Sequence, residues 1–147
     1  MSINNRSNIE TKREAFWNGY SAFLSKHNAS FNFSTPNIKG YINTPLPISD
    51  HHLSARANFG RKKDNVQALI DLPSDKFFFN LLVSKRNEIE NEFGGKLRWE
   101  KANSRWNILV GIDVDLWNQK NWEGTYQWLM EKMMKLDQVF RKRFEVI

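Results

Sequence analysis

Asp113 and Asp115, separated by one residue, are the pair best spaced for metal chemistry. On a β-strand both carboxylates would lie on one face, about 7 Å apart, and carboxylate oxygens are the ligands that Mg²⁺ and Ca²⁺ prefer. His51 or His52 would join them if the strands are neighbours. The favoured interpretation is instead a polar strand end, because such a site usually needs more converging carboxylates. No metal and no other cofactor is therefore predicted.

Patterns typical of other catalytic sites are missing from the sequence. One class of metal-dependent nucleases needs an acidic residue on one strand and Glu-x-Lys or Asp-x-Lys on the next, whereas Glu100 and Lys101 are adjacent and point to opposite faces. There is no cysteine and no Gly-x-Ser-x-Gly motif. The sequence therefore favours a non-catalytic module, and a divalent-metal-dependent enzyme using Asp113 and Asp115 is the less favoured alternative.

Basic side chains indicate a different chemistry, the binding of phosphate groups. The net charge is +6 and the pI is about 9.7, a balance compatible with nucleic-acid binding. The competing interpretation is a solvated surface on which Glu100 pairs with Arg105 across a hairpin. The candidates on the predicted polar sheet face and hairpin tip are Arg56, Arg61, Lys62, Lys63, Arg98 and Arg105.

Apolar residues outside the predicted core stripes indicate a second kind of surface. Trp117 and Trp17 are the candidates for exposed rings, and Trp128, Met130 and Met134 would form a second face on the last helix. A monomer would leave such a face in water. The alternative function is therefore a protein-interaction or dimerisation domain, with a second copy of the chain as one partner.

Hydrophobic periodicity predicts the elements that position these residues. The predicted fold is α+β: a four-stranded antiparallel sheet built from two hairpins, in the order α-ββ-α-ββ-α, with helices packed on the sheet. One domain over residues 1–147 is expected. The predicted elements are a helix at 10–27, an irregular proline-rich connection at 29–50, a hairpin at 51–72, a helix at 75–93, a hairpin at 96–115 and a helix at 121–144.

Two leucines break the alternation of the strands. Leu69 and Leu109 fall on the otherwise polar face of the sheet. We therefore expect part of that face to be covered, either by the first helix or by the long connection.

The sequence carries no sign of a membrane or of secretion. No apolar run approaches the length of about twenty residues that spans a bilayer, and the first fifteen residues are too polar for a secretion signal. The absence of cysteine rules out disulfides and thiolate metal sites. A cytoplasmic protein is expected.

Three motifs in order resemble the bacterial family labelled domain of unknown function 4268. They are Arg13-Glu14-Ala15-Phe16-Trp17, Lys85-Arg86-Asn87-Glu88-Ile89-Glu90 and Phe93-Gly94-Gly95-Lys96-Leu97-Arg98-Trp99-Glu100. Longer members of that family join such a domain to an endonuclease-like domain. The resemblance therefore implies a setting in nucleic-acid transactions and a nuclease-type protein partner, but it carries over no catalytic residue.

Overall fold

The structure, a computed structural model, describes residues 3–29, 41–48, 50–60 and 64–145. Within these residues it contains five strands and four α-helices, and a short 3-10 turn, Gln119–Asn121, leads into the last helix. In chain order the elements are α1 (Ile3–Lys26), β1 (Tyr41–Pro45), β2 (His52–Asn58), β3 (Asn65–Pro73), α2 (Lys76–Val83), α3 (Arg86–Phe93), β4 (Arg98–Lys101), β5 (Arg105–Asp113) and α4 (Trp122–Glu145).

The strands form one antiparallel sheet in the order β1-β2-β3-β5-β4. In the central pair, Ile70 lies opposite Ile108 and Leu72 lies opposite Trp106, with all four side chains buried. Side chains alternate between the faces of a strand, so these residues define an apolar face. The α+β class and the antiparallel sheet are thus confirmed.

Helix α4 covers this apolar face, and α1 packs against α4. The hydroxyl of Tyr126 donates to the backbone oxygen of Phe16 at 2.7 Å, which joins the two helices. Gly19 makes this approach possible, because a Cβ there would lie inside van der Waals contact with the Tyr126 hydroxyl. The predicted stripe of α4 is buried throughout: Trp122, Tyr126, Leu129, Met133, Leu136, Phe140 and Phe144.

A fifth strand corrects the prediction of an irregular connection at 29–50. Tyr41–Pro45 pairs with β2 as an edge strand, and residues 30–40 of that connection lie outside the described residues. The reason is a short alternation, with Ile42 buried between the outward Tyr41 and Asn43. Pro45 is tolerated because an edge strand leaves some N–H groups without a ladder partner.

The single helix predicted at 75–93 is two helices. Helix α2 ends at Val83, where the Ser84 hydroxyl donates to the Leu81 carbonyl and the Lys85 N–H donates to the Leu82 carbonyl. Such local bonds compete with the regular helical ladder and tighten the last turn. A second helix, α3, then begins at Arg86, so the order is α-βββ-αα-ββ-α rather than α-ββ-α-ββ-α.

The two leucines on the polar face lie directly opposite each other in β3 and β5. Leu69 is fully buried and Leu109 is 1% exposed, as expected for a covered region. Helix α1 is not the cover, because it packs on α4 at the apolar face.

Candidate functional site

A polar pocket of about 270 Å³ lies on the face of the sheet that is turned away from α4. Antiparallel pairing of β1 and β2 builds one side, because Tyr41 is opposite Arg56 and Asn43 is opposite Ser54. The buried Ser54 hydroxyl donates to the Asn43 side-chain oxygen at 2.5 Å, which fixes this wall. Asp71 of β3 and Arg105 of β5 close the other side.

Arg105 is held in place by two aspartates. Its Nε donates to Asp71 Oδ1 at 3.2 Å, and its two terminal nitrogens donate to the side chain and the backbone carbonyl of Asp50 at 2.9 and 2.8 Å. Asp50 adopts a left-handed conformation with φ 65°, which aims both oxygens at Arg105. Burial lowers the pKa of Arg105, but the bonds to Asp71 and Asp50 outweigh it, so the pKa rises. Arg105 is therefore a neutralised, structural charge.

Arg56 is the cation of this pocket whose charge is not neutralised. It is half-buried, and its guanidinium makes no ion pair or hydrogen bond to any residue in the described part of the chain. Tyr41 of β1 lies directly opposite Arg56 and keeps 41% of its surface exposed. A guanidinium is permanently charged and matches the geometry of phosphate oxygens. Arg56 and Tyr41 together present an anion-binding group beside an accessible ring.

The other predicted arginine of the sheet face lies apart from this pocket. Arg98 is on the edge strand β4, opposite Leu109, and its Nε is 3.6 Å from the Glu100 carboxylate. Three strand spacings, about 14 Å, separate its strand from that of Arg56. The predicted pairing of Glu100 with Arg105 is wrong, because Glu100 lies opposite Asn107.

The basic hairpin tip is anchored at the same end of the sheet as Arg56. Arg61, Lys62 and Lys63 lie outside the described residues, but both flanks of this tip are fixed. The buried Asp64 carboxylate accepts from the Gly60 N–H at 2.7 Å and from the Leu116 N–H at 2.9 Å. Beside this anchor, the ring of Trp117 packs on Phe59 with centroids 5.4 Å apart and stays 39% exposed.

Asp113 and Asp115 sit at this end too, and both are exposed. Asp115 accepts from the Trp117 N–H at 3.1 Å, as expected for a strand end leading into a turn. His52 lies opposite Asp71, whereas Asp113 lies opposite Asn65, so histidine and aspartates occupy opposite ends of the sheet. Among the described residues no group of three or more histidine or acidic side chains is arranged to hold a metal ion.

The second apolar face predicted on α4 is mostly closed. Met130 is 9% exposed and Trp128 packs partly against the core, while Met134 keeps 37% of its surface exposed. Trp17 is also buried, at 1% exposure, against Phe16. An extended interaction surface made of these residues is therefore not present on α4.

Sequence reasoning missed four residues of the pocket: Tyr41, Asn43, Ser54 and Asp71. The signal that would have found the first two is the alternation in Tyr41-Ile42-Asn43-Thr44, which the flanking prolines obscured. Ser54 follows the alternation of β2 on the polar face, but nothing in the sequence indicates its bond to Asn43.

The chain matches a protein family described as Domain of unknown function (DUF4268) over residues 12–144. The chain belongs to this family. No curated protein and no solved structure was found to match it. The residues that carry the DUF4268 resemblance are largely structural, since Phe16, Trp17, Ile89 and Phe93 are all core side chains.

In the described residues, no helix combines the length and the apolar character that crossing a bilayer requires.

Proposed function

We propose that this DUF4268 chain is a non-catalytic, cytoplasmic module that associates with nucleic acid. The observation that carries the proposal is Arg56, a half-buried guanidinium without an acidic partner in the described chain, directly across from the exposed ring of Tyr41. Arginine contacts to phosphate supply most of the non-specific affinity of such proteins. An aromatic ring beside such a contact gives an unpaired base a surface on which to stack.

The sequence that follows β2 adds further cations to this proposal. Gly60 begins the tip four residues after Arg56, and the tip carries Arg61, Lys62 and Lys63. Between them, the polar face presents Asn58, whose amide donates to Asn65 at 2.8 Å. Nucleic acid that follows β2 from Arg56 would therefore pass the neutral amide of Asn58 and lead toward the part of the sequence that carries these three cations.

The family setting supports a role beside a nuclease-type partner. The resemblance implies that longer DUF4268 members join this domain to an endonuclease-like domain. A module that holds the nucleic acid, while a separate protein or domain cleaves it, needs no catalytic residue of its own.

Fluorescence anisotropy with labelled single-stranded DNA, single-stranded RNA and duplex DNA, at increasing KCl, tests the proposal. Arg56→Gln should weaken binding to all three and reduce the slope of log K against log salt by about 1, which corresponds to one lost phosphate contact. Tyr41→Ala should weaken only the single strands, by about 1–3 kcal/mol for one stacked base. Arg98→Gln is the matched control, because Arg98 is paired with Glu100 on the far edge strand.

The proposal fails if the wild-type chain does not bind any of the three probes at low salt. It also fails if Arg56→Gln and Arg98→Gln change the salt slope equally, because net charge rather than the pocket would then account for binding.

A further inference from the structure

Helix α2 exposes apolar side chains on the side that faces away from the core. Phe78, Phe79 and Leu82 are buried, but Phe77 is 81% exposed and Leu81 is 43% exposed. Phe77 and Leu81 are four residues apart, so they lie next to each other on one side of the helix. A phenylalanine this exposed, with a leucine beside it, is an apolar patch of the kind that marks an interaction site.

A groove of about 490 Å³ lies beside this patch. Leu81 and Leu82 provide its apolar lining, and α3 and α4 form its charged rim. The rim is fixed, because Glu92 of α3 accepts hydrogen bonds from both Lys142 and Arg143 of α4. The groove is therefore a formed concave feature, and its volume exceeds that of a phenylalanine side chain.

The protruding ring and the groove belong to the same helix, and this makes the surface self-complementary. We propose that α2 is the contact between two copies of this chain, which associate in an antiparallel arrangement. A two-fold axis between Phe77 and Leu81 places each Phe77 in the groove beside the other copy's Leu81. This is the isologous pattern of closed dimers, in which residue i meets residue j and j meets i.

The charges at the two ends of α2 favour the same arrangement. Asp75 stands at its N-terminus and Lys85 follows its C-terminus, and neither forms an ion pair within the described residues. Antiparallel apposition brings Lys85 of one copy to Asp75 of the other, twice per dimer. The charges of Lys85 and Asp75 are therefore complementary when two copies meet in the antiparallel arrangement.

Sedimentation velocity over a series from about 1 μM to about 1 mM tests the proposal, because self-association depends on protomer concentration. The wild-type chain should pass from monomer to dimer within this range. Phe77→Ser removes the protruding ring and should raise the dimer dissociation constant by at least about tenfold, as for a central apolar anchor. Met134→Ser, at an exposed apolar residue of α4, is the matched control and should leave the constant unchanged.

Lys85→Glu provides a second test that does not depend on the apolar patch. It places like charges at both ends of the contact and should weaken the dimer, most strongly at low salt. Because the sequence contains no cysteine, Asn80→Cys introduces a single thiol on the exposed side of α2. A short bismaleimide should link two copies of the Asn80→Cys variant through this thiol, but should not link two copies of Met134→Cys.

Two results would overturn the proposal. One is a wild-type chain that remains monomeric over the whole range, which would leave the patch to a different partner. The other is a dimer that Phe77→Ser and Lys85→Glu leave intact, which would place the interface elsewhere. Circular dichroism melting of each variant shows that the comparison is between folded chains.

Discussion

The carboxylate of Glu90 accepts a hydrogen bond from the indole N–H of Trp99 at 3.3 Å. The same oxygen accepts from the Leu97 backbone N–H at 2.8 Å, so α3 is tied to β4 across the turn at Gly94. The hydrogen bond from Leu97 is the main reason that the pKa of Glu90 lies below its ordinary value. The Ile-Glu and Leu-x-Trp motifs of the family resemblance are thus two halves of one structural contact.

Replacing Glu90 by Gln should destabilise the fold by about 1–3 kcal/mol, because hydrogen bonds to a buried charged group become bonds to a neutral amide. Urea unfolding followed by tryptophan fluorescence measures this. Glu88→Gln, at a carboxylate that is 60% exposed on the same helix, should change the free energy of unfolding by less than about 0.5 kcal/mol. Equal losses in the two variants would contradict the assigned role of Glu90.

Acid should weaken the contact between α3 and α4. Hydrogen bonds from Arg143 and Lys142 lower the pKa of Glu92 from 4.5 to about 2. Because the folded-state pKa is below the unfolded one, the stabilisation is present above about pH 4.5 and is lost as the pH falls toward 2. The urea midpoint should fall over this window, and the fall should be smaller in Glu92→Gln. An identical pH dependence in both proteins would argue against this ion pair.

Two glycine substitutions should have opposite effects, although both glycines lie in helices. A Cβ at Gly19 would collide with the Tyr126 hydroxyl, so Gly19→Ala should destabilise the chain by about 1–3 kcal/mol despite the better helix propensity of alanine. Apart from its chain neighbours and the nearby backbone of α4, nothing lies within 4 Å of a Cβ at Gly124, so Gly124→Ala should stabilise the chain by about 0.5–1 kcal/mol. Thermal melting of the two variants measures whether each substitution raises or lowers stability. Stabilisation by Gly19→Ala would disprove the close packing of α1 on α4.

Substitution of Arg105 should reduce the stability of the fold, whereas substitution of Arg56 should reduce nucleic-acid binding. Arg105→Gln leaves Asp71 and Asp50 without their cation and should cost about 1–3 kcal/mol of unfolding free energy. Arg56→Gln should leave stability within about 0.5 kcal/mol, since it breaks no ion pair in the described chain. Urea unfolding and nucleic-acid anisotropy on both variants measure the two quantities. If Arg105→Gln lowers binding more than Arg56→Gln in folded protein, the assignment of roles is reversed.

Periodicity predicted the elements in which one face is continuously apolar. Strand β2 keeps its two-residue alternation through Leu53, Ala55 and Ala57, and the stripe of α4 keeps its helical spacing over many residues. Burial could therefore be assigned directly in both elements. The break after Val83 was missed because both helices have apolar residues at helical spacing. Local bonds, from the Ser84 hydroxyl to the Leu81 carbonyl and from the Lys85 N–H to the Leu82 carbonyl, separate them.

The pocket was less predictable than the fold, because its charges are decided by contacts between distant residues. Arg56 and Arg105 look equivalent in the sequence, as arginines on the polar face of neighbouring hairpins. What distinguishes them is the turn at Asp50, whose left-handed backbone directs its oxygens to a residue 55 positions later. No spacing rule links such positions, so the neutralisation of one arginine could not be inferred.

Helix α4 follows all five strands of the described residues yet covers the apolar face of β2 and β3. During synthesis, all five strands therefore leave the ribosome before the helix that shields them. The nascent sheet, with residues such as Ile70 and Ile108 bare, is open to chaperones and to intermolecular pairing until Trp122 and the residues after it emerge. Slow translation within α4 would prolong this vulnerable interval, whereas slow translation within α1 would not.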